Sequence, residues 1–239
     1  MPDRPCAVPV LAHHRHGRLA LPHRPGSTAP VATGLHALGL GSGSGDGLLY
    51  VPPGTETGEP SPLVVLLHGA GGTARAALDL LLPYAERAGL LLLAPESRGR
   101  TWDVILGGYG SDVAFLDSAL AAVVARCPVD TTRLAVGGFS DGASYALSIG
   151  LANGDLFGHV LAFSPGFMAP MNTRGRPQVY VSHGRHDGVL PIDRCSRRVV
   201  PALGTAATPF ATASSAGRTA CRRRSWRSRS SGSPGSRVR

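Results

Sequence analysis

The sequence predicts an α/β domain built on a mostly parallel sheet. Three observations carry that expectation. Leu63–Leu67 (LVVLL) and Leu90–Ala94 (LLLLA) are continuous apolar runs, as strands buried on both faces of a parallel sheet require. Segments with apolar residues at helical spacing alternate with such runs. Leu134–Tyr145 (LAVGGFSDGASY) sets G-x-S-x-G between a run of β-formers and a helix-favouring segment, the context of a nucleophile elbow. At 239 residues, 43% hydrophobic and 16% charged, the chain is long enough to bury one sizeable core.

Composition narrows the function classes. With no run of eighteen apolar residues, no transmembrane helix is expected. Met1–Pro30 has no apolar signal core, so the expected location is cytoplasmic. Cys6, Cys127, Cys195 and Cys221 are scattered without C-x-x-C spacing, which suggests neither a zinc site nor a disulfide framework. The net charge of +9 is unevenly placed, and every basic residue is Arg. Sixteen arginines balance fifteen acids before Gly204; eight arginines and no acid follow it. Such a block on a Ser/Gly/Pro-rich end reads as a disordered tail, and no specific nucleic-acid partner is expected.

The elements follow in order. Residues 1–45 show no sustained period and read as a flexible lead-in. His13, His14 and His16 lack neighbouring carboxylates or cysteines, so no metal site is expected there. Gly47–Val51 is a short strand stopped by Pro52 and Pro53. After the strand at Leu63–Leu67, Thr73 caps a helix running to about Ala88, ended by Gly89. Leu90–Ala94 is the next strand, and Ser111 caps a helix to Arg126 with Val113, Leu116, Leu120 and Val124 on one stripe. The elbow strand and helix come next, then strands at His159–Phe163 and Val179–Ser182, then a helix at Cys195–Leu203.

Chemistry-bearing residues stand at the strand ends. Ser140 sits at the elbow turn, flanked by Gly138 and Gly142, where neighbouring backbone must come close. Taken alone, G-x-S-x-G is also compatible with an ordinary Gly-rich turn. His68-Gly69-Ala70-Gly71-Gly72 folds tightly and presents N–H groups, as an oxyanion hole needs. His68 reads as a brace for that loop, since a general base must stand beside the nucleophile. Trp102 and Tyr109 either line a substrate pocket or anchor packing; Phe167 and Met168 are apolar enough to floor such a pocket. Asp187 lies in the turn after a late strand, where a triad acid belongs, and Asp193 is the weaker candidate.

HGAGG at 68–72, GFSDG at 138–142 and HGRHDGVLP at 183–191 stand in order. With them, the chain from Gly47 to Leu203 resembles the α/β-hydrolase fold. Within that fold it looks like small serine esterases of the phospholipase/carboxylesterase and polyhydroxybutyrate-depolymerase-like kind. The resemblance implies helices on both faces of the sheet, Ser140 as nucleophile and Asp187 as triad acid. It also implies oxyanion donors from the backbone of Ala70 or Gly71 and of Asp141. The implied reaction is hydrolysis of a small-molecule ester through an acyl-enzyme, without metal or organic cofactor. It leaves acyl length and oligomeric state open.

One part of the family pattern is missing. The family's His follows the acid, whereas the last histidine here is His186, one residue before Asp187. His183 and His186 read as braces of the acid loop. Two function classes follow: an esterase impaired by the missing base, or a hydrolase-fold protein without catalytic power. The domain reading is a lead-in at 1–45, the hydrolase domain at 46–203 and a basic tail at 204–239, with the family's last strand and helix missing or degraded. The tail's composition suggests an out-of-frame reading of a GC-rich gene. Regrouped codons from Gly217 permit Gly-Pro-His-Gly-Val-Pro-Pro-Glu-Ile-Val-Ala-Glu-Ser-Leu-Glu-Trp-Leu, a His loop followed by an amphipathic helix.

Overall fold

The computed structural model describes residues 9–20, 31–40, 45–204 and 208–215. Eight strands are present among the described residues: β1 (Gly34–Ala37), β2 (Gly47–Val51), β3 (Ser61–Leu67), β4 (Leu91–Pro95), β5 (Val129–Phe139), β6 (His159–Phe163), β7 (Gln178–Gly184) and β8 (Thr208–Ser215). They form one sheet in the order β1-β2-β4-β3-β5-β6-β7-β8. β2 pairs antiparallel with β1 and β4, and every other pairing is parallel. Among the described residues, the helices are α1 (Ala74–Leu78), α2 (Leu82–Ala88), α3 (Ser111–Arg126), α4 (Asp141–Ala152) and α5 (Ser196–Leu203).

The continuous apolar runs have a simple cause. Successive side chains of a strand point to opposite faces, and both faces of this sheet are covered. Val65, Leu67, Leu91 and Leu93 join the core built with α3, α4 and α5, while Val64, Leu66, Leu92 and Ala94 join the one under α1 and α2. Every residue of β4 is buried. The central helix α4 is buried from Gly142 to Ala152, which explains a composition apolar all round, broken only by small residues and serines.

Four local expectations need correction. The helix expected from Thr73 to Ala88 is two helices, because Pro83 in the first turn of α2 cannot continue an incoming helix. Thr73 does cap α1, accepting the Ala76 N–H at 3.3 Å, a contact worth about 1 kcal/mol. Ser111 is the first residue of α3, not its cap; the Asp103 carboxylate accepts the Gly110 and Asp112 N–H groups at 2.8 and 3.0 Å instead.

The lead-in is also more ordered than its composition suggests. Ala12–His16 form a 3-10 turn, and β1 adds to the sheet. Residues 17–20 are held by polar clamps that leave no periodic signature. Arg18 pairs with Asp155 through two bonds at 2.8 and 2.9 Å. Asn153 donates to Gly17 O at 2.7 Å and accepts Leu19 N–H at 3.0 Å.

The fourth correction is β8, which lies in the segment expected to lack a last strand. It runs parallel to β7 from Gln178↔Thr208 to Gly184↔Ser215, with a register shift between Gln178 and Tyr180. Pro209 falls inside that irregularity, where an edge strand tolerates a missing N–H. The covering helix and residues 216–239 of the tail lie outside the described residues.

Candidate active site

β5 carries the chain to Ser140, which turns at φ 56°, ψ −119° and caps α4. This left-handed conformation costs a non-glycine residue about 1–3 kcal/mol and persists only where the surroundings impose it. They do so here. Ser140 N–H donates to Phe163 O at 2.9 Å, tying the elbow to β6. A Cβ on Gly138 would meet Gly142 backbone at 2.5 Å, and one on Gly142 would meet Leu67 O at 2.1 Å. Both positions of the motif therefore need glycine. Ser140 is half-buried, and α4 runs away from it with its first N–H groups free of intrahelical acceptors.

The HGAGG loop leaves the end of β3 and lies against the elbow: a Cβ on Gly69 would stand 3.4 Å from Ser140 Cβ. Of the two expected oxyanion donors in this loop, the structure commits one elsewhere. Gly71 N–H donates to Arg100 O at 2.9 Å, whereas Ala70 is exposed. His68 is buried and fully engaged. Its Nε2 accepts Ser97 N–H at 3.0 Å, so Nδ1 carries the proton and donates to Gly69 O at 2.8 Å. Trp102 Nε1 donates to His68 O at 2.8 Å.

The pocket expectations divide. Trp102 is a packing anchor and not a pocket wall: it is 1% exposed and stacks on Tyr145 at 5.1 Å. Tyr109 is a clamp, its hydroxyl donating to Ala169 O at 2.7 Å and its ring lying over Gly17. Phe167 is exposed, and Met168 packs partly buried against the core. Sequence reasoning missed what holds their loop. Ser144 Oγ accepts Gly166 N–H, and Ser148 Oγ accepts Ala169 N–H, both at 2.9 Å. The available signal was a pair of buried serines at i, i+4 spacing on an otherwise apolar helix.

Asp187 follows β7, and its side chain is 5% exposed. One carboxylate oxygen accepts the N–H groups of Val189 and Leu190, each at 2.9 Å. The other lies 3.6 Å from His183 Nε2. His183 braces this loop from within: Nε2 donates to Leu190 O at 2.7 Å, leaving Nδ1 to accept the Ser196 hydroxyl at 2.6 Å. His186 is exposed. Ser140 and Asp187 thus stand at the same end of the sheet, two strands apart, with the 164–169 loop between them. A Cβ on Gly166 in that loop would touch Leu190 at 3.5 Å.

Away from the site, the fold brings Asp117 to His13 and His14, supplying the carboxylate their sequence neighbourhood lacks. His14 Nδ1 accepts Leu11 N–H at 3.0 Å, so Nε2 bears the proton and donates to Asp117 at 3.2 Å. That is a hydrogen-bonded pin for the N-terminal segment.

The sheet order, the strained elbow at the end of β5 and the acid turn after β7 define the α/β-hydrolase fold. The chain matches structures of that class: esterase PE8, at 25% identity and TM-score 0.57 over 73% of this chain and 91% of that one, and a phospholipase/carboxylesterase from Dyadobacter fermentans, at 21% identity and TM-score 0.51 over 78% and 88%. No family model matches the chain. Among curated proteins it is 27% identical over 154 residues to feruloyl esterase C of Emericella nidulans, covering 61% of this chain and 56% of that protein. It is 25% identical over 176 residues to a probable feruloyl esterase C of Aspergillus niger, covering 70% and 63%. The chain thus spans 56–63% of the length of these two relatives. These relatives and structural neighbours carry the names of esterases.

Proposed function

We propose that the chain is a serine hydrolase that cleaves carboxylic esters through an acyl-enzyme on Ser140. The observation that carries this reading is the elbow itself, a strained serine held between β5 and α4 by glycine contacts no other residue permits. Ser140 Oγ attacks the ester carbonyl carbon, and the carbonyl oxygen becomes an oxyanion facing the N–H groups of Ala70 and Asp141. Collapse expels the alcohol, which carries off the Ser140 hydroxyl proton delivered through solvent, and leaves an acyl-serine; water then attacks the acyl carbon, its oxygen leaving with the acid and one of its protons restoring the hydroxyl. Asp187 stands as the triad acid. The names of the curated relatives favour phenolic-acid esters as the substrate class; Phe167, exposed on the loop after β6, is the contact proposed for an aromatic acyl group. Cys127 and Cys195 are buried free thiols, which suits a reducing compartment such as the cytoplasm.

The base limits the rate. Both ring nitrogens of His68 and of His183 are engaged, and His186 is exposed on the acid turn. Without general-base assistance the rate falls by about 10²–10⁴. This same observation favours the second reading, a hydrolase-fold protein without activity. Initial rates with p-nitrophenyl acetate and methyl ferulate separate the two. The first reading expects slow hydrolysis that Ser140→Ala abolishes; a rate at the buffer background, or one unchanged in the variant, contradicts it.

A further inference from the structure

The loop between β4 and α3 holds both sides of the oxyanion pocket through two consecutive residues. Arg100 O accepts the Gly71 N–H at 2.9 Å, which orients the peptide unit next to Ala70. Thr101 Oγ1 donates to Asp141 Oδ2 at 2.7 Å, across forty residues of sequence. The loop is itself anchored at Ser97 to His68 and at Trp102 to His68 O. It is therefore a strut between the HGAGG loop and the start of α4.

Asp141 poses a problem that this strut solves. Its backbone N–H is the proposed oxyanion donor, yet its side chain is a carboxylate in the first turn of α4. A short acidic side chain there readily turns back on the free N–H groups of the helix start. In that position it would occupy the donors and repel the developing negative charge. We infer that Thr101 is a positioning residue: its hydroxyl holds the Asp141 carboxylate out of the oxyanion pocket and keeps the Asp141 N–H available. The inference rests on Ser140 being the nucleophile and extends that reading to a residue outside the three motifs.

The test follows the rate at which a fluorophosphonate labels the full-length protein, since phosphonylation of Ser140 passes through the same pocket. Thr101→Val should slow labelling by about tenfold, less than the 10²–10³ that accompanies outright loss of an oxyanion donor. Thr101→Ser keeps the hydroxyl and should stay within about twofold of wild type. Adding Asp141→Ala to Thr101→Val removes the intruding carboxylate but not the N–H, and should restore most of the rate. A purely structural role for Thr101 predicts no such rescue. Thr101→Val labelling at the wild-type rate, or a slowed rate that Asp141→Ala leaves slow, overturns the inference while leaving the nucleophile intact. Labelling that survives Ser140→Ala overturns the nucleophile, and this inference with it.

Discussion

Gly142 lies against the Leu67 carbonyl so closely that an added Cβ would stand 2.1 Å from its oxygen. The contact joins the start of α4 to the end of β3, and the His68 carbonyl lies 2.5 Å from the same point. All the atoms met are backbone in the middle of the sheet, so nothing flexible can yield. Gly142→Ala should cost about 3 kcal/mol or more, at the upper end of overpacking effects. Urea unfolding monitored by far-ultraviolet circular dichroism checks this; a loss under about 1 kcal/mol would show that the elbow has slack.

Asp112 makes stability depend on pH. Burial pushes its carboxyl up to about 6, and the nearby Asp103 charge adds to the rise, against the Arg98 and Asp103 N–H bonds and the Arg98 charge. The folded state therefore holds this proton more tightly than the unfolded chain, whose value is 3.8. The contribution is fully present below that value and is lost as pH rises through about 6, on the order of 2–3 kcal/mol. Asp112→Asn removes this titration and should flatten the slope between about pH 4 and 6.5, while losing one of the two N–H acceptors, because an amide cannot accept both N–H groups. An unchanged slope would place its origin in another group.

Much of this architecture is legible in the residues, for identifiable reasons. Two-faced burial turns β3 and β4 into uninterrupted Leu/Val runs, and the close approach of β3 to α4 forces glycine at 138 and 142. What escaped notice has no residue-type signature. The Gly71–Arg100 bond is backbone to backbone, and Thr101 reaches an aspartate forty positions away. Trp102 looks the same in a sequence whether it walls a pocket or fills a core. β8 joins the β7 edge through backbone pairing, which its mostly small and polar composition conceals.

Ser144 should prove to be the fastener of the loop carrying Phe167. Ser144→Ala removes the acceptor of Gly166 N–H and should cost about 1 kcal/mol. Hydrogen exchange should quicken at Gly166 and Phe167 well before it quickens in β6. Equal protection in the variant and the wild type would mean that the loop is held elsewhere.

The reading frame of the gene bears on the missing base. β8 ends at Ser215, whose carbonyl accepts Arg185 N–H at 2.9 Å, two residues before Asp187. The last described residue of β8 thus stands beside the turn that carries Asp187, and the regrouped His codon would straddle Arg218 and Thr219, three residues on in sequence. A cavity of about 310 Å³ lies between α5, β7 and β8, lined in part by Val181, Ile192, Val200 and Ala213. We expect a single-base shift near codon 204 to open a frame encoding that His and helix. A chain carrying this alternative C-terminus should hydrolyse esters about 10²–10⁴-fold faster. A gene with no such frame removes the explanation.

Ser140 is the proposed nucleophile, and the most direct measurement is the site of covalent labelling. The full-length protein is incubated with a fluorophosphonate, digested and mapped by mass spectrometry, beside Ser140→Ala. The elbow predicts one adduct, on Ser140 within the GFSDG peptide, and none in the variant; an adduct on another serine, persisting in Ser140→Ala, would contradict it.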